Sequence, residues 1–175
     1  MTNLTEITGI LKATPGTLEA LIGGLSDELC HSSEGPDTWS PREVLAHLIE
    51  AERVDWIPRA RIILERGETA TFADFDRLGH RSWLSHHTRH DLVGLFKEER
   101  ARSLATLAAW GDLTDRLDRR GRHPDFGPVT LGQLLATWAV HDLSHLRQIV
   151  RVSARQFAEA VGPWKKYLTI LQPSL

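Results

Sequence analysis

The chain has one cysteine, Cys30, one methionine and one tyrosine, Tyr167, in 175 residues. A single cysteine forms no internal disulfide, so the fold must stand on its apolar core, as in a reducing compartment, and Cys30 itself reads as a small core or rim residue. No apolar run approaches the length of a membrane span. The opening stretch MTNLTEITGILKATPG has neither a basic n-region nor a long apolar segment, so a secretory leader is not expected and a cytoplasmic location is. Lys and Arg number 21 against 23 Asp and Glu, a formal charge of −2. That balance lacks the basic excess that a nucleic-acid or anionic-membrane partner favours. Alternating runs of β-branched and aromatic residues are also missing, and with them the usual strand signal.

What is present reads as helix. A short N-terminal segment is expected to about Lys12, and Thr14 and Pro15 then cap and open a helix with Leu18, Leu21, Ile22 and Leu25 on one face. SDELCHSS adds a turn. WSPRE supplies Ser40 as N-cap, Pro41 at N1 and Glu43 at N3, a capping box opening a helix that runs to Arg66, with a kink at Pro58. The stretch from Glu68 to His87 is polar and broken. Thr88 and Asp91 open a third long helix that ends near Gly111, RRGRHPDFGPV reads as loop, and Thr130 and Gln133 open a fourth that stops at Gly162-Pro163. WKKYLTIL predicts a short C-terminal helix. The sum is one all-α domain over residues 1–175, a four-helix bundle with short extra helices at each end. The connection of about twenty residues between helices two and three can cross a bundle lengthwise, which would make those helices parallel.

Two histidines disturb this pattern. Leu131, Leu134, Trp138, His141, His145, Ile149 and Val152 form one helical stripe with 3-4-3-4-4-3 spacing. His141 and His145 therefore point where their neighbours say core. An imidazole buried without partners costs roughly 1–3 kcal/mol for each unsatisfied polar atom. On helix two, Val44, His47, Ala51, Val54 and Pro58 make a second stripe, and His47 sits inside it. Bundles build metal sites from inward side chains on different helices. His47, His141 and His145 are thus candidate ligands of one divalent metal, with satisfaction by a backbone carbonyl or buried carboxylate as the competing account. His31 and His80 read as surface, His86 and His90 as solvated or capping, and His123 as capping a turn. HDLSH resembles the zinc-protease pattern, but Asp142 stands where that chemistry needs glutamate.

TWSPREVLAHLIEAER, HPDFGPVTLGQLLATWAVHDLSHLRQI and VGPWKKYL together resemble the DinB/YfiT-like family over nearly the whole chain. The resemblance implies a four-helix bundle of up-down-down-up order, frequent homodimers and a metal triad that maps onto His47, His141 and His145. It also implies a choice of chemistries. One is a transferase that uses a low-molecular-weight thiol as co-substrate. Another is a metal-dependent hydrolase using metal-bound hydroxide, and a third is a non-catalytic metal-binding stress-response protein. Three neutral ligands leave an open position, as catalytic zinc sites do; zinc is the first choice, with nickel or another divalent ion also compatible with imidazole.

The substrate is expected to be a small molecule. Arg100 and Ser103 interrupt the apolar stripe Val93, Phe96, Arg100, Ser103, Leu107 of helix three. They either line a polar pocket that holds a carboxylate, or Arg100 pairs with Glu99 or a neighbouring helix. Gln148, three after His145, is placed to support that ring. Glu50, three after His47, is placed to do the same or to act as a base.

Overall fold

The computed structural model describes residues 3–172, and the order of elements is largely helical. The long helices are α1 (Leu4–Gly23), α3 (Pro41–Val54) with its continuation α4 (Trp56–Glu65), α6 (Arg89–Ala109) and α7 (Leu131–Arg155); α2 (Asp27–His31) and α5 (Arg81–Leu84) are short. Helix α1 packs on α6 and α7, and α3 packs on the same two. These form a four-helix bundle.

The helix starts follow the local chemistry. Ser40 with Glu43, Thr88 with Asp91 and Thr130 with Gln133 each form a complete capping box, which satisfies backbone donors that the first turn leaves free. Helix α1 departs from expectation. It does not begin again at Pro15 but runs through it. A proline inside a helix strands the carbonyl four residues back, here Leu11. Arg100 of α6 donates to that carbonyl at 2.9 Å, so a tertiary contact replaces the missing helical bond.

Pro58 strands the carbonyl of Val54 in the same way, and the axis breaks there: α3 ends at Val54, Asp55 adopts φ −108°, ψ −75°, and α4 begins at Trp56. The break turns Val54 outward, at 48% exposed, and brings Trp56, Ala60 and Ile63 into the core instead. The expected inward position of Val54 is thereby corrected.

The stretch read as loop is a hairpin. Strands β1 (Arg120–His123) and β2 (Gly127–Thr130) pair antiparallel, Arg120 opposite Thr130 and His123 opposite Gly127. Gly127 turns the chain at φ +70°. The hairpin holds the connection between α4 and α6, the crossover segment, because Phe72 donates its N–H to the carbonyl of Arg122 at 2.9 Å. Gly121 permits this approach; a Cβ there would lie 2.7 Å from Ile63 Cγ1 and 2.9 Å from Phe72 Cε1. Four-residue strands with two glycines carry too little patterning to announce themselves.

Helix α7 ends at Arg155, short of Gly162, and WKKYLTIL forms 3₁₀ turns, Gly162–Tyr167 and Thr169–Leu171, rather than an α-helix. Trp164 and Tyr167 are exposed and only Leu171 is buried, so too little apolar surface is covered to hold a regular helix. Among the described residues no helix is long and apolar enough to cross a membrane.

The core has two apolar bodies. One gathers Ile7, Leu11, Trp56, Ile63, Leu131 and Trp138; the other Leu18, Ile22, Leu45, Leu48, Phe96 and Ile149. Along each long helix a buried polar residue falls between the two: Thr14, Glu52, Arg100 and Asp142. The candidate site lies beside this polar layer.

Candidate metal centre

His47 projects from α3, and His141 and His145 from α7. His47 Nε2 and His145 Nε2 each lie 3.1 Å from His141 Nε2. One nitrogen of each ring falls within 4.8 Å of the others. Tetrahedral zinc with metal–nitrogen distances of about 2.0–2.1 Å places its ligand nitrogens about 3.3 Å apart. The observed spacing is close to that.

The protonation of His145 fits as well. Gln148 accepts a hydrogen bond from His145 Nδ1 at 3.0 Å. The proton therefore sits on Nδ1 and the Nε2 lone pair faces the centre. The Nδ1 atoms of His47 and His141 are buried without a partner among the described residues. Burial lowers His47 to about 3, reinforced by the neighbouring His145 and His80. Burial likewise lowers His141 to about 2, with His145, His47 and Arg100 adding to it. His145 is lowered by burial, partly offset by Gln148 and Asp142. The three rings are neutral, the form that binds metals. Lone pairs converging at such distances repel unless protons or an electrophile sit between them, and a divalent cation fits this donor set.

Aromatic rings fix the three imidazoles. Trp39 lies 4.8 Å from the His47 ring and stacks on His145 at 6.2 Å, Phe75 meets His47 edge-on at 5.5 Å, and Trp56 meets His141 at 5.0 Å. Trp39 comes from the turn before α3 and Phe75 from the crossover segment, so both connections close over the centre.

A buried ionic cluster lies directly behind. Arg100 donates through Nη1 and Nη2 to the two oxygens of Asp142 at 2.6 and 2.9 Å, and through Nη2 to Glu52 Oε1 at 2.7 Å. Trp138 Nε1 donates to the same Glu52 oxygen at 2.8 Å. Burial pushes the Glu52 carboxyl up, against the pull of Arg100. This corrects one reading of Arg100: its guanidinium is 1% exposed and holds the protein's own carboxylates, so it lines no substrate pocket. The competing expectation, a partner on a neighbouring helix, describes what is there. Sequence reasoning misses Glu52 and Asp142 as a pair. A signal exists for Asp142, which continues the stripe Leu135, Trp138, Asp142, Ile149.

Glu50 is not gathered with the triad. Its carboxylate accepts from Trp83 Nε1 at 2.8 Å and tethers the crossover segment. Gln148 does contact a triad member. His80, expected at the surface, is 1% exposed: its Nδ1 bonds the Arg77 carbonyl at 3.0 Å, its ring lies 4.8 Å from Trp39, and its Nε2 has no partner among the described residues. His31, His86 and His90 are exposed. His123 Nδ1 accepts the Asp125 N–H at 3.1 Å and caps the hairpin turn. Cys30 is buried, and burial raises its thiol, so it is a core residue and not a nucleophile.

Fold and site together define a four-helix bundle with a three-histidine cluster between its second and fourth long helices. The chain belongs to the DinB superfamily, whose family model matches residues 10–149. Among solved structures it is similar to YfiT from Bacillus subtilis, described as a probable metal-dependent hydrolase with an unusual four-helix bundle topology. The TM-score is 0.72 at 21% identity, covering 87% of this chain and 86% of that one. It is also similar to TT2238, a four-helix bundle protein, with a TM-score of 0.55 at 23% identity over 83% of this chain and 96% of that one. No curated protein matches the chain.

Proposed function

We propose that the chain is a metal-dependent enzyme in which His47, His141 and His145 hold one divalent ion, zinc before nickel, and that its reaction is the transfer of a low-molecular-weight thiol to a small-molecule substrate. The observation that carries this reading is the convergence of three neutral imidazole nitrogens from two helices, with no carboxylate or thiol among them. A divalent ion bound by three neutral ligands keeps its charge and an open position, and so supplies Lewis-acid activation of a thiol or of water.

The chain's own residues prepare that site. Gln148 sets the tautomer of His145, and the Trp39, Phe75 and Trp56 rings pack against the imidazoles and fix their orientation. The Arg100 cluster places two carboxylates against one guanidinium. One of them, Asp142, is next in sequence to His141, and its charge favours positive charge at His145.

The proposal takes residues 1–175 as one domain of up-down-down-up order. Three contacts support that order: Lys97 with Glu19, Arg42 with the carbonyls of Leu84 and His87, and Trp138 with Glu52. The proposed enzyme works in the cytoplasm, alone or as a homodimer, without nucleic-acid or membrane partners. A hydrolase is the second reading, favoured by the likeness to YfiT. Elemental analysis of the purified protein, followed by thiol-conjugation and ester- or amide-hydrolysis screens with and without chelator, separates the two. Conjugation that needs both thiol and metal supports the transferase. Hydrolysis without added thiol supports the alternative, and no turnover by metal-loaded protein overturns both.

A further inference from the structure

A cavity of about 380 Å³ opens between the turn before α3 and the last turns of α7, lined by Glu34, Trp39, Ser144, Arg147, Gln148 and Arg151, among others. Its size falls at the small end of small-molecule sites. Two of its walls belong equally to the histidine cluster. Trp39 packs on His47 and His145, and Gln148 holds His145 Nδ1. An occupant that touches both therefore lies beside His145.

The charged side chains around the cavity differ in how they are paired among the described residues. Glu34 is the acidic wall, and it is already engaged by Arg151 at 2.8 Å and by Arg155 at 3.3 Å. Arg147 is exposed and has no carboxylate partner among the described residues. Arg151 and Arg155 thus share Glu34, whereas Arg147 borders the cavity with no carboxylate bound to it among the described residues. A guanidinium fork matches a carboxylate or a phosphate. Here Arg147 is the one lining arginine without a carboxylate partner among the described residues, and Arg151 is bound to Glu34, which suits one negative charge better than two.

We infer that this cavity is the anion subsite of the centre, and that Arg147 binds the carboxylate of a small organic monoanion whose other end reaches toward the three histidines past Trp39 and Gln148. Trp39 offers an apolar face to the body of such a ligand, and Ser144 and Gln148 offer hydrogen bonds. The inference rests on the centre being the reacting site, and it narrows the substrate, or the thiol co-substrate, to molecules that carry a carboxylate.

The test has two independent arms. In the first, the full chain is titrated with propionate and with propanol while the Trp39 indole and Gln148 side-chain amide resonances are followed by NMR. Propionate should shift both signals and propanol should not. Arg147→Gln should weaken propionate by about five- to tenfold, the scale of one charge-assisted hydrogen bond at an open site. Arg147→Lys should restore part of it, and added salt should weaken it in the wild type. Equal response to propanol, or an Arg147→Gln variant that binds like wild type, overturns the inference. Inorganic phosphate bound more tightly than propionate overturns the assignment to a monoanion.

In the second arm, the cobalt-loaded protein is titrated with 3-mercaptopropionate and with 2-mercaptoethanol, reading the sulfur-to-cobalt charge-transfer band. A preference for the charged thiol that Arg147→Gln abolishes supports the inference. A band of equal strength with both thiols leaves the proposed function standing and removes the anion subsite. No band with either, while propionate still shifts Trp39 in the first arm, removes the thiol reading and keeps the subsite.

Discussion

Arg100 donates a hydrogen bond to the carbonyl of Leu11 at 2.9 Å, the carbonyl that Pro15 leaves without a helical donor. One buried guanidinium thus serves two purposes: it completes the backbone of α1 and it binds Asp142 and Glu52 beside the histidine cluster.

Removing Arg100 should therefore be costly. Arg100→Met leaves the buried Asp142 carboxylate and the Leu11 carbonyl without their donor and Glu52 with Trp138 but without its guanidinium, and should destabilise the fold by about 3–5 kcal/mol. In a Pro15→Ala background the loss should be smaller by about 1 kcal/mol, because the backbone N–H that the substitution restores takes over the Leu11 carbonyl. Urea unfolding of the four proteins in the cycle measures this, and strict additivity would refute the link between Pro15 and Arg100.

Gln148 should govern metal affinity without being a ligand. Gln148→Leu removes the acceptor that fixes the His145 tautomer, and metal affinity should fall about 10–100-fold. Gln148→Glu should retain affinity or raise it. Competition against a chromophoric chelator gives the constants; if Gln148→Leu and wild type bind metal equally, the contact has no orienting role.

Acid should destabilise the metal-free protein through its histidines. His47 is held at about 3 in the fold against 6.5 for the free side chain. The unfolded chain therefore binds the extra proton between those values, and stability rises with pH across that window by about 1.4 kcal/mol per unit. This contribution is fully present above pH 6.5 and is lost as pH falls toward 3. Asp55 acts in the opposite sense, since burial raises it from 3.8 to about 6, so its contribution is lost as pH rises through 6. Comparing wild type with His47→Gln isolates the histidine: the variant's stability should fall less steeply between about pH 6.5 and about pH 4. Parallel curves would show that His47 is not desolvated in solution.

Metal removal should leave the bundle folded. The two apolar bodies and the Arg100 cluster are complete without an ion. Chelation should leave the far-ultraviolet circular dichroism of the helices intact and lower Tm only by the binding linkage. Loss of helical signal on chelation would make the site structural and end the catalytic reading.

Much of the bundle is legible because its cues are local. Ser40 with Glu43, Thr88 with Asp91 and Thr130 with Gln133 mark three helix starts through contacts only three residues apart. The stripes of α3 and α7 place His47, His141 and His145 on inward faces by periodicity alone. Misreadings arise where the outcome depends on distant residues. Pro15 and Pro58 are the same residue type at interior helical positions, yet α1 continues and the second helix breaks. Arg100 reaches the carbonyl stranded by the first, and among the described residues no such side chain reaches the carbonyl stranded by the second. The hairpin needs the close approach of Ile63 and Phe72 to Gly121, which no local pattern encodes. His80 looks like a surface residue in a polar stretch until Trp39 covers it.

By itself the sequence determined the helical class, the three capped starts and the placement of three histidines on inward stripes, since propensity, capping and 3.6-residue periodicity act over a few residues. Only the tertiary structure decided that His47 meets His141 of the α7 pair at 3.1 Å, that Arg100 is spent on Glu52 and Asp142, and that Arg147 borders a cavity shared with Trp39. Those relationships join residues about 40 to 110 positions apart, and they exist only once packing has brought the helices together.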